Sequence, residues 1–348
     1  MVLIMPSTEP AIARVNPHRI ALRRRLDSVV FAALFWGVGP AHAEQGIVTL
    51  TIQNDLVVKR DGGGYTSGFF GAHLRLAAPD EAGVEPVFAF KPLGGWLSLE
   101  KPTLASVSFK QLIITPAEIA APVPDPTDSP YTGLLALRLA QVHARANVAD
   151  MFALEIGVVG PGSGAAQTQR FVHRVTGSRR PEGWESQSRN RAMLGLEAYR
   201  SWRFARSDET TATLGTDLVL LGGGALGNLQ SSFGGEALLR YGTGLARSFP
   251  TAVRLGGTGS DPLSVGRGWF LLGGLAVDHY FERVGFGNSA PPASTARLRQ
   301  TQVLARAGFA YGDGRSSFSV SVQSASPLVA GRYARQSYGS ITYSHGLD

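Results

Sequence analysis

The feature that most constrains this chain is a two-residue beat that starts at Ile47 and returns along most of its length. In IVTLTIQ, Val48, Leu50 and Ile52 share one face of an extended strand, while Thr49, Thr51 and Gln53 share the other. FFGAHLRLA sets Phe70, Ala72, Leu74 and Leu76 opposite Gly71, His73, Arg75 and Ala77. FALEIGVVG sets Phe152, Leu154, Ile156 and Val158 opposite Glu155 and Gly157. ATLGTDLVL, VLARAGFAY and FSVSVQS repeat the pattern, with Asp217, Arg306, Ser319 and Ser321 on the polar face. About twelve such segments follow residue 43, an even number of the kind bacterial membrane barrels require.

Two architectures produce this pattern. A soluble sandwich buries its apolar face, whereas an outer-membrane barrel turns that face to lipid and keeps small and polar residues inside. The polar faces here carry Gly, Ser, Arg, Asp and Glu, which suits a packed or watery lumen. Stretches such as Thr210 to Leu221 and Gln300 to Tyr311 are long enough for a tilted crossing. The expected fold is therefore all-β, a transmembrane antiparallel β-barrel of about twelve strands. One feature runs against it: such barrels commonly finish on an aromatic residue, and this chain ends YSHGLD, so the assembly signal is weak or shifted to Tyr343.

The setting is extracytoplasmic. Arg19, Arg23, Arg24 and Arg25 precede an apolar run from Val29 to Val38, and Ala41, His42 and Ala43 give the small-x-small pattern of a cleavage site. Residues 1–43 are expected to be a signal peptide and 44–348 the barrel domain. The apolar run is too short for a transmembrane helix, which needs about 20 residues. Five arginines against Glu9 and Asp27 place three of the seven net positive charges in this leader, leaving the remainder only mildly basic and a nucleic-acid partner unsupported. The absence of cysteine excludes disulfides and thiolate chemistry.

Two segments break the beat. In QNDLVVKRDGGGYTSG, Asn54, Asp55, Tyr65 and Thr66 gather beside a triglycine turn. After GVVGPGSG, the run AAQTQRFVHRVTG reads as a short helix in a loop: glycine and proline stop the strand, alanines favour helix, and Gly177 can cap the end. Gln169 and His173 are four apart and share a face. Taken singly, Asn54 and Asp55 fit a strand end and turn, Thr66 fits a strand, and His173 fits a solvated loop helix.

Together these segments resemble the outer-membrane lipid A 3′-O-deacylase family. QNDLVVKRDGGGYTSGFF resembles its N-terminal signature of an Asn-Asp pair followed by Tyr-Thr-x-Gly. QLIITP, DSPYTG and IGVVGPGSGAAQTQRFVHRVTG are similar to further family blocks, and GWESQSRNR and GGALGN keep the family order. The resemblance spans nearly the whole chain after the leader. It implies a twelve-stranded barrel whose active site lies on the outer side, between the barrel wall and a helix in an extracellular loop, near the lipid headgroups. The family's functional residues fall on Asn54, Asp55, Thr66, Gln169 and His173.

That resemblance implies Ca²⁺-dependent hydrolysis of the 3′-linked acyl ester of lipid A, by a protein expected to act as a monomer on lipopolysaccharide. Histidine, as a residue type that titrates near neutrality, suits the base, His173. Asp55 and Asn54 would hold the ion, a hard cation suited to oxygen ligands. Asn54, Thr66 and Gln169 would orient the water, the ion or His173. No G-x-S-x-G elbow is present to supply a serine nucleophile. Ser129 and Ile114 depart from the family pattern, and AEIAAPVPDPTD carries no basic residue for a lipid phosphate, a role that Arg179 and Arg180 could take. Arg179 also occupies a place where an acid assists in some relatives, leaving Glu182 or Glu185 to support His173. The competing readings are a barrel of the same fold that only binds lipopolysaccharide or plays a structural part, and a passive pore.

Overall fold

Strands that alternate in this way have a donor and an acceptor row on each edge, and here both edges of every strand are used. A computed structural model describes residues 44–55, 64–78, 81–92, 100–205, 213–257 and 259–347; the expected signal segment and most of the glycine-rich turn lie outside them. The strands are β1 (Glu44–Asn54), β2 (Gly64–Ala77), β3 (Leu104–Thr115), β4 (Thr132–Ala144), β5 (Val148–Val159), β6 (Arg191–Ala205), β7 (Gly215–Gly227), β8 (Gln230–Gly242), β9 (Arg267–Arg283), β10 (Thr301–Asp313), β11 (Ser316–Ala325) and β12 (Gln336–Leu347). Each is antiparallel to its neighbours in sequence, and β12 returns to β1 to close a twelve-stranded barrel. The seventh strand starts five residues later than Thr210 and runs on through Gly222, Gly223 and Gly224. At Gly223 a side chain would meet the β6 backbone, so small residues let the sheet pack closely there.

Side-chain parity rejects the soluble sandwich. Leu50, Ile52, Ile156, Leu194, Leu196, Leu275 and Val322 stand exposed on the outside, whereas Thr49, Gln53, Glu155, Asp217, Ser319 and Ser321 are buried inside. An apolar belt of that extent is the surface lipid covers. Both chain ends of the barrel lie at one rim. The opposite rim carries residues 116–131, 160–190, 284–300 and 326–335, the outer end of a bacterial barrel.

The lumen is filled by charge and by a strap. Arg138 bonds Glu197 at 2.5 and 3.1 Å and Glu155 at 3.3 Å, and Lys110 joins Glu155 at 2.6 Å. Asp217 accepts from Arg203 at 2.7 Å and from Arg240 at 2.6 and 2.9 Å. Residues 243–257 and 259–266, which include a short helical turn (Leu245–Ser248), fold back into the bore from the rim of the chain ends. The strap touches opposite walls: Arg138 of β4 donates to the Leu255 carbonyl at 3.1 Å, and Gln53 of β1 and Gln323 of β11 donate to that of Gly259 at 3.3 and 2.8 Å. Arg254, in the left-handed region at φ 54°, is held there by Asp278 at 2.7 and 3.2 Å and Glu236 at 3.3 Å. Such a conformation is costly for a residue with a Cβ and persists only where its surroundings over-determine it.

The strap also corrects the expectation for β2. Phe70, Ala72, Leu74 and Leu76 point into the barrel, the reverse of the lipid-facing reading. Phe249, Val253, Leu255 and Leu263 of the strap pack with Ile47, Leu74, Leu76, Leu104 and Val142, so this part of the lumen is apolar and the alternation inverts.

Asp217→Ala would remove the carboxylate that the buried Arg203 and Arg240 share. We expect a loss of about 3–5 kcal/mol of stability, read as a lower temperature for loss of the heat-resistant barrel band in gel electrophoresis. The wild-type barrel should give no sustained conductance in planar bilayers.

A helix on the outer wall: the candidate active site

The outer end of β5 stops abruptly because Gly160 (φ 99°), a 3₁₀ turn at Pro161–Ser163 and Gly164 (φ 69°) redirect the chain. The helix expected in this loop follows as α1 (Ala165–Thr176), and Gly177, left-handed at φ 69°, ends it as the sequence indicates. Ser178 N–H donates to the His173 carbonyl at 2.9 Å, closing the C-terminal turn.

This helix lies on the outside of the barrel. Gln111, on the outward row of β3, donates from Nε2 to the Ser163 carbonyl at 2.7 Å. At Gly133 of β4 a Cβ would collide with Ser163 and Ala165, so only glycine lets the helix start this close to the wall. Ala165 and Ala166 pack with Ile113, Tyr131, Trp184 and Phe69. Opposite that buried face, Phe171 and Val175 stand 62% and 69% exposed one turn apart.

The strand residues meet the same stretch of wall. The β2–β3 register passes from Tyr65 opposite Ile114 to Ser67 opposite Ile113, so Thr66 is the extra residue of a bulge. Tyr65 points inward, where its hydroxyl donates to Gln53 Oε1 at 2.7 Å. Thr66 instead meets Thr115, hydroxyl to hydroxyl at 2.7 Å. Asn54 pairs with Ser67 across β1 and β2, which keeps its side chain on the outward row, as its parity predicts. Asp55 follows, buried. The wall thus gathers Asn54, Asp55 and Thr66 at its outer end, and α1, which packs on the wall through Ala165 and Ala166, carries Gln169 and His173.

Gln169 is buried and accepts a 2.7 Å hydrogen bond at Oε1 from Trp184 Nε1. His173 Nδ1 lies 2.5 Å from the Arg179 carbonyl. A carbonyl only accepts, so the Nδ1 carries the proton and Nε2 is left as the acceptor, the form a general base needs. The support expected from Glu182 or Glu185 comes instead from this backbone carbonyl. Glu182 pairs with Arg180 at 3.2 Å and Glu185 with Arg170 at 3.7 Å. Arg179 reaches Glu118 at 2.5 Å, and Arg179 and Arg180 are both on the exposed surface. The hydrogen bond from Arg179 holds the Glu118 carboxyl below the usual range. Burial pushes the Tyr131 phenol up to about 12, and its hydroxyl donates to the Ile119 carbonyl at 2.9 Å.

Among the described residues no three His, Asp or Glu side chains gather as a metal cluster. The donors at the strand end are a carboxylate, an amide and two hydroxyls, from Asp55, Asn54, Thr66 and Thr115. Such a hard, all-oxygen set fits Ca²⁺, which accepts mixed carboxylate, amide, backbone and water oxygens, and does not suit a soft metal. Sequence reading overlooked Trp184, Thr115 and Gln111 as parts of the site, although all three stand inside the motifs QLIITP and GWESQSRNR.

The family described as "Outer membrane protein LpxR" matches residues 29–347. Among solved structures, LpxR from Salmonella typhimurium is similar, with a TM-score of 0.68 and 17% identity, over 86% of this chain and 99% of that one. The KdgM porin covers 87% of this chain and 99% of its own at a TM-score of 0.36 and 6% identity. No curated sequence matches it.

Because the Glu118 carboxyl titrates below its unfolded value, the pair with Arg179 is present above that unfolded value and is lost as pH falls through the lowered one. Protection of the amides at 177–182, taken relative to the intrinsic exchange rate at each pH, should therefore fall on acidification through that range. Glu118→Gln should show the lower protection already at neutral pH, without loss of the barrel.

Proposed function

Because this chain belongs to the LpxR family, outer-membrane enzymes that act on lipid A, we propose that it hydrolyses the 3′-linked acyl ester of lipid A. The reaction is Ca²⁺-dependent, with His173 as base, and the protein acts as a monomer in the outer membrane on lipopolysaccharide. The observation that carries this reading is the seating of α1 on the outer wall, with His173 oriented through Nδ1 and Gln169 one turn before it, while Asn54, Asp55 and Thr66 stand at the outer end of β1 and β2. An ester at the junction of headgroup and acyl chain lies at that height, and a site there meets it without drawing lipid into a lumen the strap already fills.

Each residue then has a part that its chemistry permits. Nε2 of His173 takes a proton from water, the hydroxide so formed adds to the ester carbonyl, and the same nitrogen returns the proton to the departing sugar 3′-oxygen. Asn54 and Thr66 orient the water or the donors around it. Asp55, with Asn54, would hold the Ca²⁺, which supplies a positive charge to polarise the carbonyl. Arg179 and Arg180 can exchange their surface carboxylates for lipid phosphate, since exposed ion pairs are held weakly.

The deciding experiment is mass spectrometry of lipid A from Gram-negative cells expressing the wild-type chain or His173→Ala, with calcium and after chelation. Wild type should remove the 3′-linked acyl or acyloxyacyl group. Chelation should abolish the change, and His173→Ala should slow it by roughly 10²-fold or more. Unchanged lipid A, with the wild-type protein folded in the outer membrane, would instead favour a barrel that only binds lipopolysaccharide.

A further inference from the structure

Trp184 is almost wholly buried, and so is the side chain it bonds, Gln169. An indole N–H can only donate, so the atom 2.7 Å from it must be the amide oxygen of Gln169. That fixes which way the amide faces, a choice that otherwise depends on the surrounding hydrogen bonds. Its other end, Nε2, carries two donor protons, is buried, and has no hydrogen-bond partner among the described residues. Buried donors without acceptors are rare in folded proteins, and each calls for an explanation. Here the orphan belongs to the helix face that also carries His173, one turn away.

We infer that Trp184 is a positioning residue, which locks the Gln169 amide with Nε2 turned to the reacting ester so that Gln169 donates to the carbonyl oxygen as negative charge develops on it. The inference rests on the hydrolase reading above. A donor fixed in advance and shielded from water stabilises such charge without reorganising. A free amide would rotate to present its oxygen about as readily, and an oxygen there would repel the oxyanion.

The indole is itself held. Its ring lies 4.9 Å from that of Tyr131, centroid to centroid, and the Tyr131 hydroxyl is anchored on the Ile119 carbonyl. A Cβ at Gly183 would stand 2.6 Å from the Tyr131 ring and 3.0 Å from the Ala121 carbonyl, so the backbone beside Trp184 must pass close to both. Only this architecture separates Trp184 from an ordinary core tryptophan: its one polar atom is spent on a residue of the site.

The test uses full-length protein purified in detergent, with lipid A in mixed micelles. Trp184→Phe keeps an aromatic ring, though a smaller one, and removes the donor; it should lower kcat about tenfold and leave KM within about twofold. Gln169→Glu, which removes the donor amide, should lower kcat by roughly 10²–10³-fold. In a Gln169→Ala background, Trp184→Phe should add no further loss, because it acts through the missing amide. Full kcat in Trp184→Phe, or a loss that multiplies that of Gln169→Ala, would overturn the inference. A readout independent of turnover is proton exchange at the Trp184 indole N–H. It should be slow in wild type and fast in Gln169→Ala. Fast exchange in both would sink the positioning contact. Slow exchange in a wild type that releases no acid would instead remove the hydrolase reading, and with it the ester as the partner of Nε2.

Discussion

Hydrocarbon offers a peptide group no hydrogen bond, so a sheet that spans it must have no edge. The pairing of β1 with β12, from Gly46 opposite Leu347 to Asn54 opposite Gly339, removes the last two edges and fixes the register of everything between them. It also fixes the site. With the register set, Asn54 stands on the outward row beside Ser67, and the bulge at Thr66 brings its hydroxyl to Thr115.

The inside of the barrel answers to a different constraint. Burying a guanidinium or carboxylate away from water is expensive unless each finds partners. Here Asp217 serves two arginines, Arg138 serves two glutamates, and Arg254 binds both the Asp278 and the Glu236 carboxylates. The strap joins this network through its backbone carbonyls as well as through Arg254, so removing it would strip partners from several walls at once. Wall and filling are therefore one cooperative unit, and the outer site is built on a support that cannot easily flex.

Much of this was legible in the sequence, and the gaps have physical reasons. The beat of IVTLTIQ and FALEIGVVG reads directly as lipid-facing strand, and Gly177 marks the end of α1 because only a residue free to adopt a positive φ ends a helix that way. The strap was invisible: SFPTAVRLGGTGSDPL has no period, and its contacts reach residues as distant in sequence as Gln53. For the same reason the inversion of β2 could not be foreseen, since which face is wet depends on what fills the bore. Asn54, Thr66, Gln169 and His173 were named through motifs. The orienting carbonyl of Arg179 was not, because backbone atoms leave no mark in residue identity. Trp184 lay in a quoted motif, but its part depends on Gln169, fifteen positions earlier and across a turn.

The filled bore has a consequence for supply. Among the described residues the strap and its ion pairs occupy much of the bore, so a lipid bound at the outer wall would approach sideways, through the plane of the leaflet, and leave the same way. Encounter then depends on molecules per unit area and on the fluidity of the lipid around the wall, not on molarity in the surrounding water. A sugar chain of any length can stay outside throughout, since nothing has to be threaded.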